Sequence, residues 1–220
     1  MKTLRSKRGF TRLELAGVLV LAGFLILVAG PFRISRGRDT KAFSEAKSGK
    51  AIYNWLQAYA NDHDQVFPVA KNNSNEAFRQ LFTGGYLTDE EIFAIPGDAW
   101  LKNAPGGKGM PDNKIGPAPD FPNALEPGEC SWAYVTGLDA ASQSNLPLLS
   151  SAFSETTGVY STDKKRKGGV LGGKAIWVSV GGSAKVAEGP VVREKKDVRD
   201  MDVFGPDWGT NPANMKNPAP

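Results

Sequence analysis

Lys7-Arg8-Gly9-Phe10-Thr11-Arg12-Leu13-Glu14-Leu15 sets a basic leader, a Gly-Phe junction and a single acid ahead of an apolar run. From Leu15 to Phe32 no residue is charged, and only Gly17, Gly23, Gly30 and Pro31 interrupt the apolar side chains. As a helix these positions cover roughly 27 Å, close to the hydrocarbon thickness of a bilayer. A carboxylate on such a run costs up to ~2.5–3.5 kcal/mol if it is driven to the membrane centre. Glu14 therefore needs a cation, and a candidate is the α-amino group that cleavage between Gly9 and Phe10 would create. Other signals fit less well. A secretory signal ends on small residues before its cut, but Ala29 and Gly30 are followed by Pro31. A lipoprotein signal needs a cysteine there, and the sole cysteine is Cys130. A plain membrane anchor accounts for the apolar run but not for Glu14.

The segment resembles the N-terminal signal of type IV pilins and of type II secretion pseudopilins: a short basic leader, Gly, then Phe-Thr-x-x-Glu and a hydrophobic helix. The resemblance covers residues 1 to about 32. It implies cleavage after Gly9 by a prepilin peptidase, N-methylation of Phe10, and assembly through Glu14, with Pro31 where many pilins carry a helix-kinking proline. Arg12 departs from the family, which usually has an apolar residue there. The implied partners are the peptidase, other pilin or pseudopilin subunits and an inner-membrane assembly platform. The implied product is a structural subunit of a pseudopilus or pilus-like filament rather than an enzyme. Its place would be the inner membrane, as a single-pass protein with a periplasmic head, or a cell-surface filament. The alternative is a membrane-anchored periplasmic or extracellular binding module that does not polymerise.

Charge supports the division into leader and body. The chain has 27 basic and 23 acidic residues, but Lys2, Arg5, Lys7 and Arg8 precede the cut, leaving 23 of each sign. A mature chain without net charge gives no argument for nucleic acid as a partner. The leader's charge favours a cytoplasmic N-terminus, which Arg33, Arg36 and Arg38 oppose modestly. One cysteine allows no intramolecular disulfide, and Cys130 reads as a small, partly buried residue.

Past the apolar run, Ala42, Ala46, Gly49, Tyr53, Leu56 and Ala60 recur at helical spacing, with Phe43, Ile52 and Tyr59 widening the same face. The expectation is one long helix over 10–62, membrane-spanning at about 13–32. Asn73 with Glu76 reads as a capping pair opening a helix over 74–82 that stops at Gly84-Gly85, and Thr88 with Glu91 repeats the pattern for a single turn. Phe78, Leu81, Phe82, Ile92 and Phe93 are the expected core. From Pro96 to Gly128 glycine and proline dominate, predicting a long loop pinned by Trp100, Ile115 and Phe121. Strands are predicted at 131–135, 146–153, 175–180 and 184–187, the last two a hairpin around Gly181-Gly182-Ser183. The fold class is therefore α+β: a long N-terminal helix packed on a small antiparallel sheet. Its parts are a leader (1–9), the long helix (10–62), the head (63–210) and a Pro/Asn-rich tail (211–220) expected to be disordered.

Chemistry-bearing clusters are few. His63 lies between Asp62 and Asp64, but adjacent side chains on a helix end diverge and make a poor metal cage. Major pseudopilins bind calcium in a carboxyl-terminal loop, so the resemblance implies a candidate calcium site at Asp200, Asp202 and Asp207, which match no fixed ligand spacing; an exposed acidic tail is the simpler reading. With one histidine and one cysteine far apart, nucleophilic catalysis has little material.

Overall fold

The computed structural model describes residues 42–107, 109–161, 163, 165–169, 174–188, 204–206 and 209–220. Gly9, Phe10, Glu14, Pro31, Asp200, Asp202 and Asp207 lie outside the described residues, as do the leader and the apolar run. Among the described residues no helix is long and apolar enough to cross a membrane.

The head is α+β. Residues 42–62 are helical (α1), followed by α2 (Ser74–Thr83) and single 3-10 turns at Glu91–Phe93 and Ala99–Leu101. The strands are β1 (Trp132–Val135), β2 (Pro147–Ser151), β3 (Lys174–Ser179), β4 (Ala184–Glu188) and β5 (Met215–Lys216). They form one antiparallel sheet in the order β4-β3-β2-β1-β5.

Strand alternation explains how the sheet serves two cores. Trp132 and Tyr134 of β1 and Ile176 and Val178 of β3 point to one face, where they pack with Ile52, Leu56 and Ala60 of α1 and Phe78, Leu81 and Phe82 of α2. Ala133 and Val135 point to the other, as do Ala175 and Trp177, against Phe153, Tyr160, Phe204 and Met215. With both faces covered, β1 is buried at every position and shows no polar alternation. The apolar stripe on α1 is as expected at Ala42, Gly49, Ile52, Leu56 and Ala60. Phe43 is a correction: it is 71 % exposed. It sits about 100° round the helix from Ala42, just past the contact face.

α1 meets the sheet unusually closely at Gly49. A Cβ there would stand 2.8 Å from Cη2 of Trp132 and 3.1 Å from Cγ2 of Val178. The β3–β4 turn is latched to the same helix: Lys50 Nζ donates to the Gly182 carbonyl (2.7 Å) and the Tyr53 hydroxyl to that of Val180 (2.9 Å). Gly182 makes this turn at φ +73°.

α2 begins as predicted, with the Asn73 side chain accepting from Glu76 N–H. Glu76 reaches back one and two residues further than a standard capping box, to Asn72 N–H (2.9 Å) and Lys71 N–H (2.7 Å). At the second turn the cap differs from expectation. Asp89, not Thr88, accepts the Glu91 N–H.

The tail corrects the sequence reading. Residues 211–220 are built into the head rather than disordered: β5 pairs with β1, and Met215 and Ala219 are buried. Asn217 bridges, accepting from Phe153 N–H and donating to the Ser154 carbonyl, while its own carbonyl accepts from Ser74 N–H. Fully buried Asn75 ties three segments together. Its Nδ2 donates to Leu125 O (2.8 Å) and its Oδ1 accepts from Ala219 N–H (3.0 Å). Asn75→Ala would leave the Ala219 N–H without its acceptor, while the Leu125 carbonyl keeps its bond from Arg79 Nη2 (3.0 Å), so a loss of about 1–3 kcal/mol is expected in urea denaturation of the full chain in detergent micelles. Asn75→Asp keeps an acceptor for the Ala219 N–H but turns a carboxylate oxygen toward the Leu125 carbonyl, so it should not restore the stability.

Cys130 is fully buried rather than partly so, and burial pushes its thiol up to about 12. It is a packing residue.

Candidate metal centre

The long loop and its flanks bring three carboxylates together, and none of the three was singled out from the sequence. One oxygen from each of Glu90, Asp112 and Glu129 lies within 4.8 Å of those of the other two. The three are separated by 22 and 17 positions, with no period or fixed spacing to reveal them. The available signal was turn chemistry: Pro111-Asp112-Asn113 and Glu126-Pro127-Gly128-Glu129 both set acids among turn-favouring residues, although only the second closes into a turn.

Each acid is placed by the fold. Glu90 precedes the Glu91–Phe93 turn, whose Phe93 is fixed in the core against Phe78 (centroids 4.8 Å apart) and whose Phe93 carbonyl accepts from Ser131 N–H. Glu129 leads into β1 through Cys130 and Ser131. Asp112 is held by its own N–H, which donates to Glu129 Oε1 (3.0 Å). Asn113, at φ +59°, turns its side-chain oxygen to the Glu90 N–H (3.0 Å).

The carboxylates are also the loop's acceptors. Glu90 Oε1 accepts from Leu125 N–H (2.5 Å), and Glu129 Oε2 from Glu126 N–H (2.7 Å). Asp112 takes the side chain and the N–H of Lys114, at 2.9 Å each. Glu90 is fully buried, and its Oε2 alone in the cluster is a buried oxygen with no hydrogen-bond partner. Burial, with Glu129, Asp112 and Glu126 nearby, pushes the Glu90 carboxyl up to about 7 against the pull of the Leu125 N–H. Burial also raises Glu129, whereas the Lys114 ammonium holds Asp112 below the usual range. Arg79 does not offset the charge directly, since its guanidinium is spent on the Ala124 and Leu125 carbonyls. With all acids ionised, three negative charges face one exposed lysine.

Two other acids take no part. Asp62 accepts from the Tyr86 hydroxyl (2.7 Å), and His63 is exposed, stacked on Tyr59 with ring centroids 3.8 Å apart. Asp98 caps the second 3-10 turn, accepting from Trp100 N–H and the Ser131 hydroxyl, and lines a cleft of about 20 Å³ with Glu45, Ser151 and Lys174. Burial pushes its carboxyl up to about 6. The unfolded chain then ionises Asp98 first, so the native state holds more protons between about pH 4 and pH 6, and stability falls as pH rises through that window. Asp98→Asn keeps the Trp100 acceptor without the charge. Its stability relative to wild type should rise by about 1–3 kcal/mol from pH 4 to pH 7, read from urea midpoints at each pH.

Comparison of the chain with protein-family models, with curated proteins and with solved structures finds no match.

Proposed function

We propose that the chain is a prepilin-like structural subunit, cut after Gly9, methylated on Phe10 and assembled into a type II secretion pseudopilus or related filament through its N-terminal segment. One observation carries this reading: the Gly9-Phe10-Thr11…Glu14 frame stands at the head of an apolar run of membrane-spanning length. The α+β head is compatible with it, with α1 laid on one face of an antiparallel sheet. Removal of the leader would supply the amine that Glu14 needs. Pairing that amine with the carboxylate of a neighbouring subunit would select register, because any other stagger leaves a charge unmatched in apolar surroundings.

The reading is tested by producing the chain in a cell that carries a prepilin peptidase and an assembly platform, then shearing and pelleting the surface fraction. Fibres containing the chain are the expected result. A chain that stays monomeric in the inner membrane while other subunits polymerise would favour a tethered binding module instead.

A further inference from the structure

We infer that Glu90, Asp112 and Glu129 form a binding site for a calcium-sized divalent cation, which fixes the long loop to the start of β1. The inference stands on the head alone and is independent of the filament reading. Acidic clusters without an ion are common on protein surfaces, but this one differs in burial. Glu90 is 0 % exposed and keeps Oε2 without a partner beside two further carboxylates. A buried carboxylate oxygen without a partner is costly unless a cation meets it or the group takes up a proton, and two further carboxylates beside it favour the cation.

The chemistry selects the ion. All three side chains offer oxygen, and neither His63 nor Cys130 joins them in the cluster, which favours a hard cation over zinc or copper. The three oxygens lie within 4.8 Å of one another, close enough for one ion between them to draw on all three at calcium–oxygen distances of about 2.4 Å after a small side-chain adjustment. Magnesium binds at about 2.1 Å and demands octahedral regularity that an irregular loop does not provide. Three carboxylates against Lys114 leave two negative charges, which a divalent ion neutralises. Glu126 adds further negative potential nearby.

The test uses the full chain in detergent micelles, stripped with chelator, with calcium chloride or magnesium chloride as the probe. Calcium at about a hundredfold its dissociation constant should raise the melting temperature by about 5–10 °C, with heat of binding for one ion per chain in calorimetry. Magnesium at the same concentration should give a much smaller shift. Glu90→Gln, which removes the buried charge and keeps an acceptor for Leu125 N–H, should melt at or above the stripped wild type and lose the calcium response. A triple variant, Asp200→Asn, Asp202→Asn and Asp207→Asn, should keep it. The inference is overturned if calcium neither binds nor shifts the wild type, leaving Glu90 simply protonated. It is overturned equally if magnesium matches calcium, if Glu90→Gln still responds, or if the tail variant alone abolishes the response.

Discussion

Gly49→Leu is expected to cost the head about 3 kcal/mol or more, a large part of the stability of an ordinary domain. The reason is competition between two effects of known size. Replacing glycine inside a helix gains up to about 1 kcal/mol of helix propensity, so an exposed glycine at this position would be improved by substitution. At Gly49 the first added carbon already stands 2.8 Å from the ring of Trp132 and 3.1 Å from Val178. Trp132 is fully buried in β1, so its rigid ring cannot swing out into solvent to make room. Overpacking of this kind costs about 1–3 kcal/mol for small additions and more for large ones. Gly49→Ala should therefore be mildly destabilising, and Gly49→Leu severely so. Urea midpoints followed by tryptophan fluorescence give the order, with Lys47→Ala on the exposed side of the same helix as the neutral control. If Gly49→Leu were as stable as wild type, the close seating of α1 on the sheet would be wrong.

Glu14→Ala carries the second large effect, and it separates assembly from insertion. In a monomer the substitution removes an acid from the edge of an apolar run, so membrane insertion should improve or stay unchanged. In a filament it leaves each amino terminus without its counter-charge. Breaking a buried ion pair costs about 3–5 kcal/mol, which corresponds to a loss of about two to four orders of magnitude in incorporation. The measurement is the ratio of sheared fibre to membrane-bound monomer by quantitative immunoblot. Equal ratios for variant and wild type would remove the pairing argument.

Local signals gave much of the head. Asn73 and Glu76 announce α2 because a cap is a short-range contact, written within four residues. The strands at 132–135 and 174–179 were legible from dense β-branched and aromatic composition, and the Gly181-Gly182-Ser183 turn from glycine. The tail was not legible. Its Pro/Asn composition suggests disorder, yet Asn211 caps the 3-10 turn at Pro212–Asn214 and Asn217 bridges to Phe153 and Ser154. Asparagine is equally suited to solvent and to buried backbone partners, and composition does not distinguish them. Phe43 misled for another reason. Helical period gives a face but not its width, and the contact with the sheet is narrow. The carboxylate cluster was out of reach because Glu90 and Glu129 meet across an irregular loop, where no periodicity links sequence to space. The candidate calcium aspartates Asp200, Asp202 and Asp207, like Gly9, Phe10, Glu14 and Pro31, belong to segments outside the described residues and are read from the sequence alone.

The central claim is that the chain is matured at its amino terminus, and the most direct test is the mass of the N-terminal peptide from membrane-inserted protein isolated with its native peptidase. The account predicts a peptide beginning at Phe10 and carrying one added methyl group. A peptide that still begins at Met1, or one cut beyond Pro31, would contradict it.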